Sequence, residues 1–152
     1  MAENLKAIKV HTIGFTKTTA QNFFYRLSNA GVKRIIDVRL NTSSQLSGFA
    51  KQNDLKYFLM ELTGINYEHN SLLTPTKEIL NEYKKQKGTW EKYEEKFIKL
   101  MKKREIEKHL NPDYLHETCL LCSEDTPEYC HRRLIIEYLN EHWDCNIKTC
   151  HL

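Results

Sequence analysis

The amino-acid sequence predicts an α/β fold: a single-domain three-layer sandwich, with a mostly parallel sheet of about five strands and helices on both faces. Three observations carry that prediction. Short β-branched apolar segments alternate with longer amphipathic ones along the whole chain. The first strand, helix and second strand succeed one another within about 30 residues, the length of a right-handed parallel crossover. No internal repeat, linker or low-complexity segment interrupts the 152 residues, so residues 1–152 read as one domain.

Residues 7–15, "AIKVHTIGF", are apolar and β-branched and predict a buried first strand ending at Gly14. Thr16, Thr18 and Thr19 offer cap hydroxyls to a helix over 19–30, with Phe23, Leu27 and Ala30 on one face and Gly31 closing it. "KRIIDVRL", residues 33–40, is the second strand. Residues 41–53 are rich in Ser, Thr, Asn and Gln and predict a long polar loop, a length that often marks function.

A helix follows over 54–62, with Leu55, Phe58, Leu59 and Leu62 facing inward and Gly64 ending it. "INYEH" is a short third strand, and Thr74 with Pro75 opens a further helix as N-cap and first helical residue. Trp90, Tyr93, Phe97, Leu100 and Met101, spaced by threes and fours among Lys and Glu, predict a long amphipathic helix over 90–110 that Asn111-Pro112-Asp113 breaks. "ETCLLC" is the fourth strand, residues from about 127 to 142 a helix, and "CNIKTCHL" a final strand.

Composition narrows the functional classes. With 40% hydrophobic and 28% charged residues, neither disorder nor membrane residence is indicated. No apolar run approaches the roughly 20 residues of a spanning helix, and "MAENLKAIKV" lacks a secretory apolar stretch, so a cytoplasmic location and no membrane partner are expected. Five cysteines, an odd number without a framework, read as reduced thiols. A net charge of +3 permits an anionic small molecule or nucleic acid as partner but falls short of a dedicated basic footprint. The lysines and arginine at Lys84, Lys85, Lys87, Lys102, Lys103 and Arg104 offer, as an alternative to an enzyme, a non-catalytic nucleic-acid or protein-binding surface, but they are interleaved with Glu, as on a solvated face. The sequence names no cofactor and no oligomeric state.

Chemistry gathers in loops that follow the carboxyl ends of predicted strands, the edge where open α/β sheets bind ligands. These are residues 14–18, 39–48 and 123–130. In "LLCSEDTPEYCHRR" the Thr126-Pro127 pair predicts a helix opening that sets Cys130 and His131 in its first turn. There the dipole, Arg132 and Arg133 favour a bound anion and a thiolate, making Cys130 a candidate nucleophile with His131 or Glu124 as proton carrier. Burial of Cys130 as a small apolar residue is the alternative. Cys122, Cys130 and His131 form an alternative metal set for zinc or iron, whereas Cys119 and Cys122 point to opposite faces of an extended strand and do not chelate together unless the strand ends before Cys122. Asp37 and Arg39 share a face at the end of a buried strand. They form either a structural ion pair or an anion fork in which Asp37 holds Arg39 or acts as base, with Ser44 among the supporting hydroxyls. "TIGFT" has one glycine and matches no nucleotide fingerprint.

Taken together, "HTIGFT", "DVRLNTSS", "LTGINYEHNSL" and "LLCSEDTPEYCHRR" resemble, in order and spacing, the domain-of-unknown-function 488 family over nearly the whole chain. The resemblance implies family positions at Thr12, Ile13 and Gly14; at Asp37, Val38 and Arg39; at Gly64, Ile65 and Tyr67; and at Cys122, Glu124, Pro127, Cys130, His131 and Arg132. It implies fold and pocket, with no reaction attached. The candidate catalytic set is therefore Cys130, His131, Glu124 and Asp37, and the candidate substrate-binding set Thr12, Gly14, Arg39, Ser44 and Arg132. Two departures stand out: Thr42, Ser44 and Gln45 occupy positions where family members carry Pro, Ser and a basic residue, and Leu72-Leu73-Thr74 replaces a Leu-Gly-Gly.

Overall fold

A computed structural model describes residues 6–43 and 47–152. Among these residues, strands β1 (Lys6–Ile13), β2 (Arg34–Asp37), β3 (Asn66–His69), β4 (Thr118–Leu121) and β5 (Cys145–His151) form one sheet in the order β3-β2-β4-β1-β5. All of its pairings are parallel. The predicted α/β sandwich is therefore present, with the sheet wholly parallel.

Helices α1 (Ala20–Asn29) and α2 (Gln52–Thr63) cover one face. Thr19 caps α1 by accepting from the Asn22 backbone N–H, and α2 ends at Gly64 in the left-handed conformation, φ 73°. Phe23, Phe24 and Leu27 of α1 and Leu55 and Leu59 of α2 pack on Ile13, Ile35, Cys119 and Leu121 of the sheet.

The other face carries α3 (Lys77–Lys84), α4 (Trp90–Arg104), the short α5 (Ile106–His109) and α6 (Pro112–Leu115), and α7 (His131–His142). Tyr93, Phe97 and Met101, four residues apart on α4, meet Leu134, Ile135 and Leu139 of α7 over Ile36, Val38, Leu120 and Cys122. β4 ends at Leu121, before Cys122, yet Cys119 and Cys122 still lie in different layers. No described helix is long and apolar enough to cross a membrane.

Boundaries moved where local signals competed. Thr76, rather than Thr74, caps α3 by accepting from the Ile79 backbone N–H, and Pro75 lies buried just before the helix. The long helix stops at Glu105, which adopts φ 51°, and resumes as α5 with Ile106 buried. Pro112 opens α6 instead of only breaking a helix, with Asn111 accepting from the Tyr114 N–H. The most consequential correction concerns α7: it starts at His131, with Cys130 in extended conformation as its N-cap, and Thr126-Pro127 lies in the preceding loop.

Phe97 is fully buried where α4, α7 and the sheet meet, whereas its neighbour Ile98 is 37% exposed. Phe97→Ala is expected to cost about 3–5 kcal/mol in urea unfolding, from lost transfer energy and the cavity left behind. Ile98→Ala should stay within about 1 kcal/mol.

Candidate functional site

The parallel register sets Ile13, Asp37 and Leu121 level with one another. The residues just beyond them therefore emerge side by side. Backbone bonds continue the alignment past the strands: Val38 N–H donates to Leu121, Cys122 N–H to Ile13 and Thr16 N–H to Ser123. Gly14 makes the crossing of two of these loops feasible. A Cβ there would lie 1.5 Å from the Glu124 carbonyl oxygen and 3.1 Å from Arg132 Nη1.

Three side chains converge at this edge. The sulfurs of Cys122 and Cys130 and a ring nitrogen of His131 all lie within 4.8 Å of one another. His131 Nε2 is 2.7 Å from the Val38 carbonyl oxygen, which only accepts, so Nε2 carries the hydrogen. That leaves Nδ1 facing Cys122 Sγ at 3.6 Å. A hydrogen bond from the Cys130 thiol holds Cys122 well below the usual thiol range, against burial, and the His131 and Arg132 charges add to it. Burial pushes Cys130 well up, and its bond to Cys122 and that sulfur's charge push it further. Burial alone would lower His131, but Cys122 outweighs it and raises the imidazole. Of the two sulfurs, Cys122 is thus the one whose thiolate form its surroundings favour, with Cys130 placed to donate to it and His131 beside it.

Beside this cluster sits a second, fully engaged pair. Asp37, fully buried, accepts from the Arg39 backbone N–H at 3.1 Å, from Nε at 2.9 Å and Nη2 at 2.7 Å, and from the Tyr67 hydroxyl at 2.5 Å. Burial and the Asp37 charge push the Tyr67 phenol well up, so it stays a donor. His69 Nε2 is 2.8 Å from the Arg39 carbonyl oxygen, and the guanidinium lies over the Phe15 ring, 5.2 Å from its centroid. Arg39 is 3% exposed, and its Nη1 has no hydrogen-bond partner among the described residues.

A cavity of about 260 Å³ joins the two pairs. Arg39, Cys122, Glu124, Cys130 and His131 line it, together with Lys84, Tyr83, Trp90, Tyr93 and Tyr129. At its edge Glu124 pairs with Lys84, 2.7 Å between Oε1 and Nζ. Burial works against the Lys84 charge, and the bond to Glu124 more than restores it, raising the ammonium.

A model of the family described as "Domain of unknown function DUF488" matches residues 19–139. The chain belongs to the DUF488 family. Comparison with curated proteins and with solved structures gives no match. The family match spans Asp37, Arg39, Tyr67, Cys122, Glu124, Cys130 and His131, so the whole of the two paired clusters falls within the DUF488 portion.

Other candidate residues of this DUF488 chain lie elsewhere. Arg132 is fully buried and does not line the cavity; its Nη1 donates to the Glu124 carbonyl at 2.7 Å and so shapes the loop after β4. Gly14 serves the same crossing. Thr12 Oγ1 pairs with His151 Nδ1 at 2.6 Å on β5, away from the cavity. Ser44 and Gln45 lie outside the described residues. Arg104, counted above with the basic surface, donates to the Leu72 and Thr74 carbonyls. From the sequence, Tyr67 stands only as a position of the family resemblance, Lys84 only among the basic residues, and Trp90 and Tyr93 only as an apolar helix face, while Tyr83 and Tyr129 carry no reading. Tyr129 stands inside the cysteine-histidine segment and was the one signal that could have been read.

The three converging ligand atoms suit a single metal ion as well as a thiolate. His131 Nδ1, with Nε2 held by a backbone carbonyl, has the outer-shell arrangement typical of metal-bound histidine. Two predictions follow from this geometry. Gly14→Ala should displace the residue 123–125 loop, lowering the melting temperature and altering the reactivity of Cys122. The paired titration also has a sign. His131, raised above about 6.5, loses stabilisation as pH rises past that value, while Cys122, depressed below about 8.5, gains it as pH approaches 8.5; the slopes cancel in between. The stability difference between metal-free wild type and Cys122→Ser should thus hold steady from about pH 7 to 8.5 and shrink above it, as urea midpoints would show.

Proposed function

We propose that this DUF488 chain is an enzyme acting on a phosphate-bearing small molecule or nucleic acid, bound at the carboxyl ends of the strands. One observation carries the reading: a thiolate-favouring Cys122–Cys130–His131 cluster and a buried arginine with an uncommitted nitrogen open onto one cavity. Arg39 receives the anion, preoriented by Asp37, Tyr67 and His69, so little reorganisation accompanies binding. Cys122 is the nucleophile, where the sequence had pointed to Cys130. Cys130 stabilises its charge, and His131 or the Glu124 carboxylate carries the proton. Arg132 and Gly14 are positioning residues that fix the loop bearing Glu124. Reduced thiols of this kind belong in a reducing compartment, consistent with a cytoplasmic protein.

Alkylation with iodoacetamide, read by peptide mass spectrometry, tests the proposal. At about pH 6, where an ordinary thiol is protonated, Cys122 should react ahead of the exposed Cys150. Inorganic phosphate or pyrophosphate should slow the reaction at Cys122 and leave Cys150 unchanged. Arg39→Lys should abolish that protection, since a lysine keeps the charge but loses the fork that locks onto Asp37. Cys122 reacting no faster than Cys150, or indifferent to both anions, would sink the reading.

A second reading has its own support, because three protein ligands with a side open to a cavity is the arrangement of catalytic zinc. Cys122, Cys130 and His131 would hold the ion, which would supply Lewis acidity toward a bound anion. Elemental analysis of protein purified without chelator decides it: stoichiometric zinc or iron that disappears in Cys122→Ser favours the metal, and its absence ends that account.

A further inference from the structure

We propose that the ligand of this cavity carries a flat heteroaromatic ring joined to its anionic group, the class of a mononucleotide. This rests on the anion-binding reading above and adds the ring to it. An aromatic ladder runs from the cysteine-histidine cluster outward. Phe97 stands edge-on to His131 with centroids 5.1 Å apart, Tyr93 stacks on Phe97 at 6.2 Å, and Trp90 stacks on Tyr93 at 5.1 Å. Tyr83 and Tyr129 each meet Trp90 edge-on at 5.7 Å.

The inner rungs are core, Phe97 fully buried and Tyr93 4% exposed, and need no ligand to explain them. The outer rungs differ. Trp90 and Tyr83 are half-buried and Tyr129 is 57% exposed, and all three line the cavity that Arg39 also lines. Rings left on a cavity wall gain from being covered by another π face, and such stacking tolerates any base. Arg39, though ion-paired with Asp37, leaves its Nη1 without a partner as a charge-assisted donor beside the same space. The acidic side chain on the lining, Glu124, is already paired with Lys84. A volume of about 260 Å³ is near the lower limit of small-molecule pockets, which suits one nucleotide rather than a strand.

Isothermal titration of the full chain with the ribonucleoside monophosphates, ribose 5-phosphate and adenosine tests this. The best monophosphate should bind about tenfold or more tightly than ribose 5-phosphate. Tyr129→Ala should narrow that gap while leaving ribose 5-phosphate binding and the melting temperature unchanged, since the side chain is mostly exposed. Trp90→Leu should narrow it further, its folding checked by the melting curve. Ribose 5-phosphate binding as tightly as every monophosphate overturns the ring and leaves the anion reading standing. Adenosine binding as tightly as AMP overturns the joined ligand and removes the anion reading with it. No binding by any of these probes overturns both.

Discussion

The site depends on the register of a parallel sheet. Because β2, β4 and β1 run the same way with Asp37, Leu121 and Ile13 aligned, the three chain segments leaving them occupy one small region of space. Antiparallel pairing would have sent one of them to the opposite edge. The backbone bonds continue for one to three residues beyond the strands, so Val38, Cys122 and Thr16 are held by backbone bonds although they belong to loops. Functional groups on these residues inherit the rigidity of the sheet, which is what precise catalytic placement requires.

That rigidity sustains an expensive arrangement of charge. Arg39, Asp37, Arg132 and His131 are each at least nine-tenths buried, and Cys122, whose surroundings favour its thiolate form, lies against His131. Buried ions persist only with partners, and here most have them: Asp37 accepts four hydrogen bonds, His131 is held at both nitrogens, and Arg132 is anchored to a carbonyl. The incompleteness is concentrated in the arginines, where Arg39 Nη1 and two nitrogens of Arg132 lack partners among the described residues. A hydrophobic replacement of these groups would forgo the hydrogen bonds that tie the loops after β2 and β4 together.

Membership of the DUF488 family gives this reading its scope. The matched span begins in α1's cap and ends within α7, so it takes in β2, β3 and β4 with both paired clusters. It leaves β1 and β5 outside, including Gly14, whose missing side chain lets the loop after β4 cross. Ser44 and Gln45 lie outside the described residues, while Leu73 and Thr74 are buried and Arg104 donates to the carbonyls of Leu72 and Thr74.

By itself, the sequence determined the strands, their alternation with helices, the opposite facing of Cys119 and Cys122, and the segments that supply the site. Each follows from periodicity or local turn chemistry, which act over a few residues and leave a visible pattern. Only the tertiary structure decided which sulfur faces His131. Thr126-Pro127 satisfies the local rules for a helix start, yet α7 begins at His131, because packing of Leu134 and Ile135 on the sheet and the bond from His131 to Val38 fix where the helix starts. That shift makes Cys130 the cap and Cys122 the sulfur facing His131, a contact between residues on separate elements. The pairing of His131 with Val38, 93 positions apart, and the gathering of Tyr83, Trp90 and Tyr129 around Arg39 likewise depend on long-range register, which no local pattern encodes.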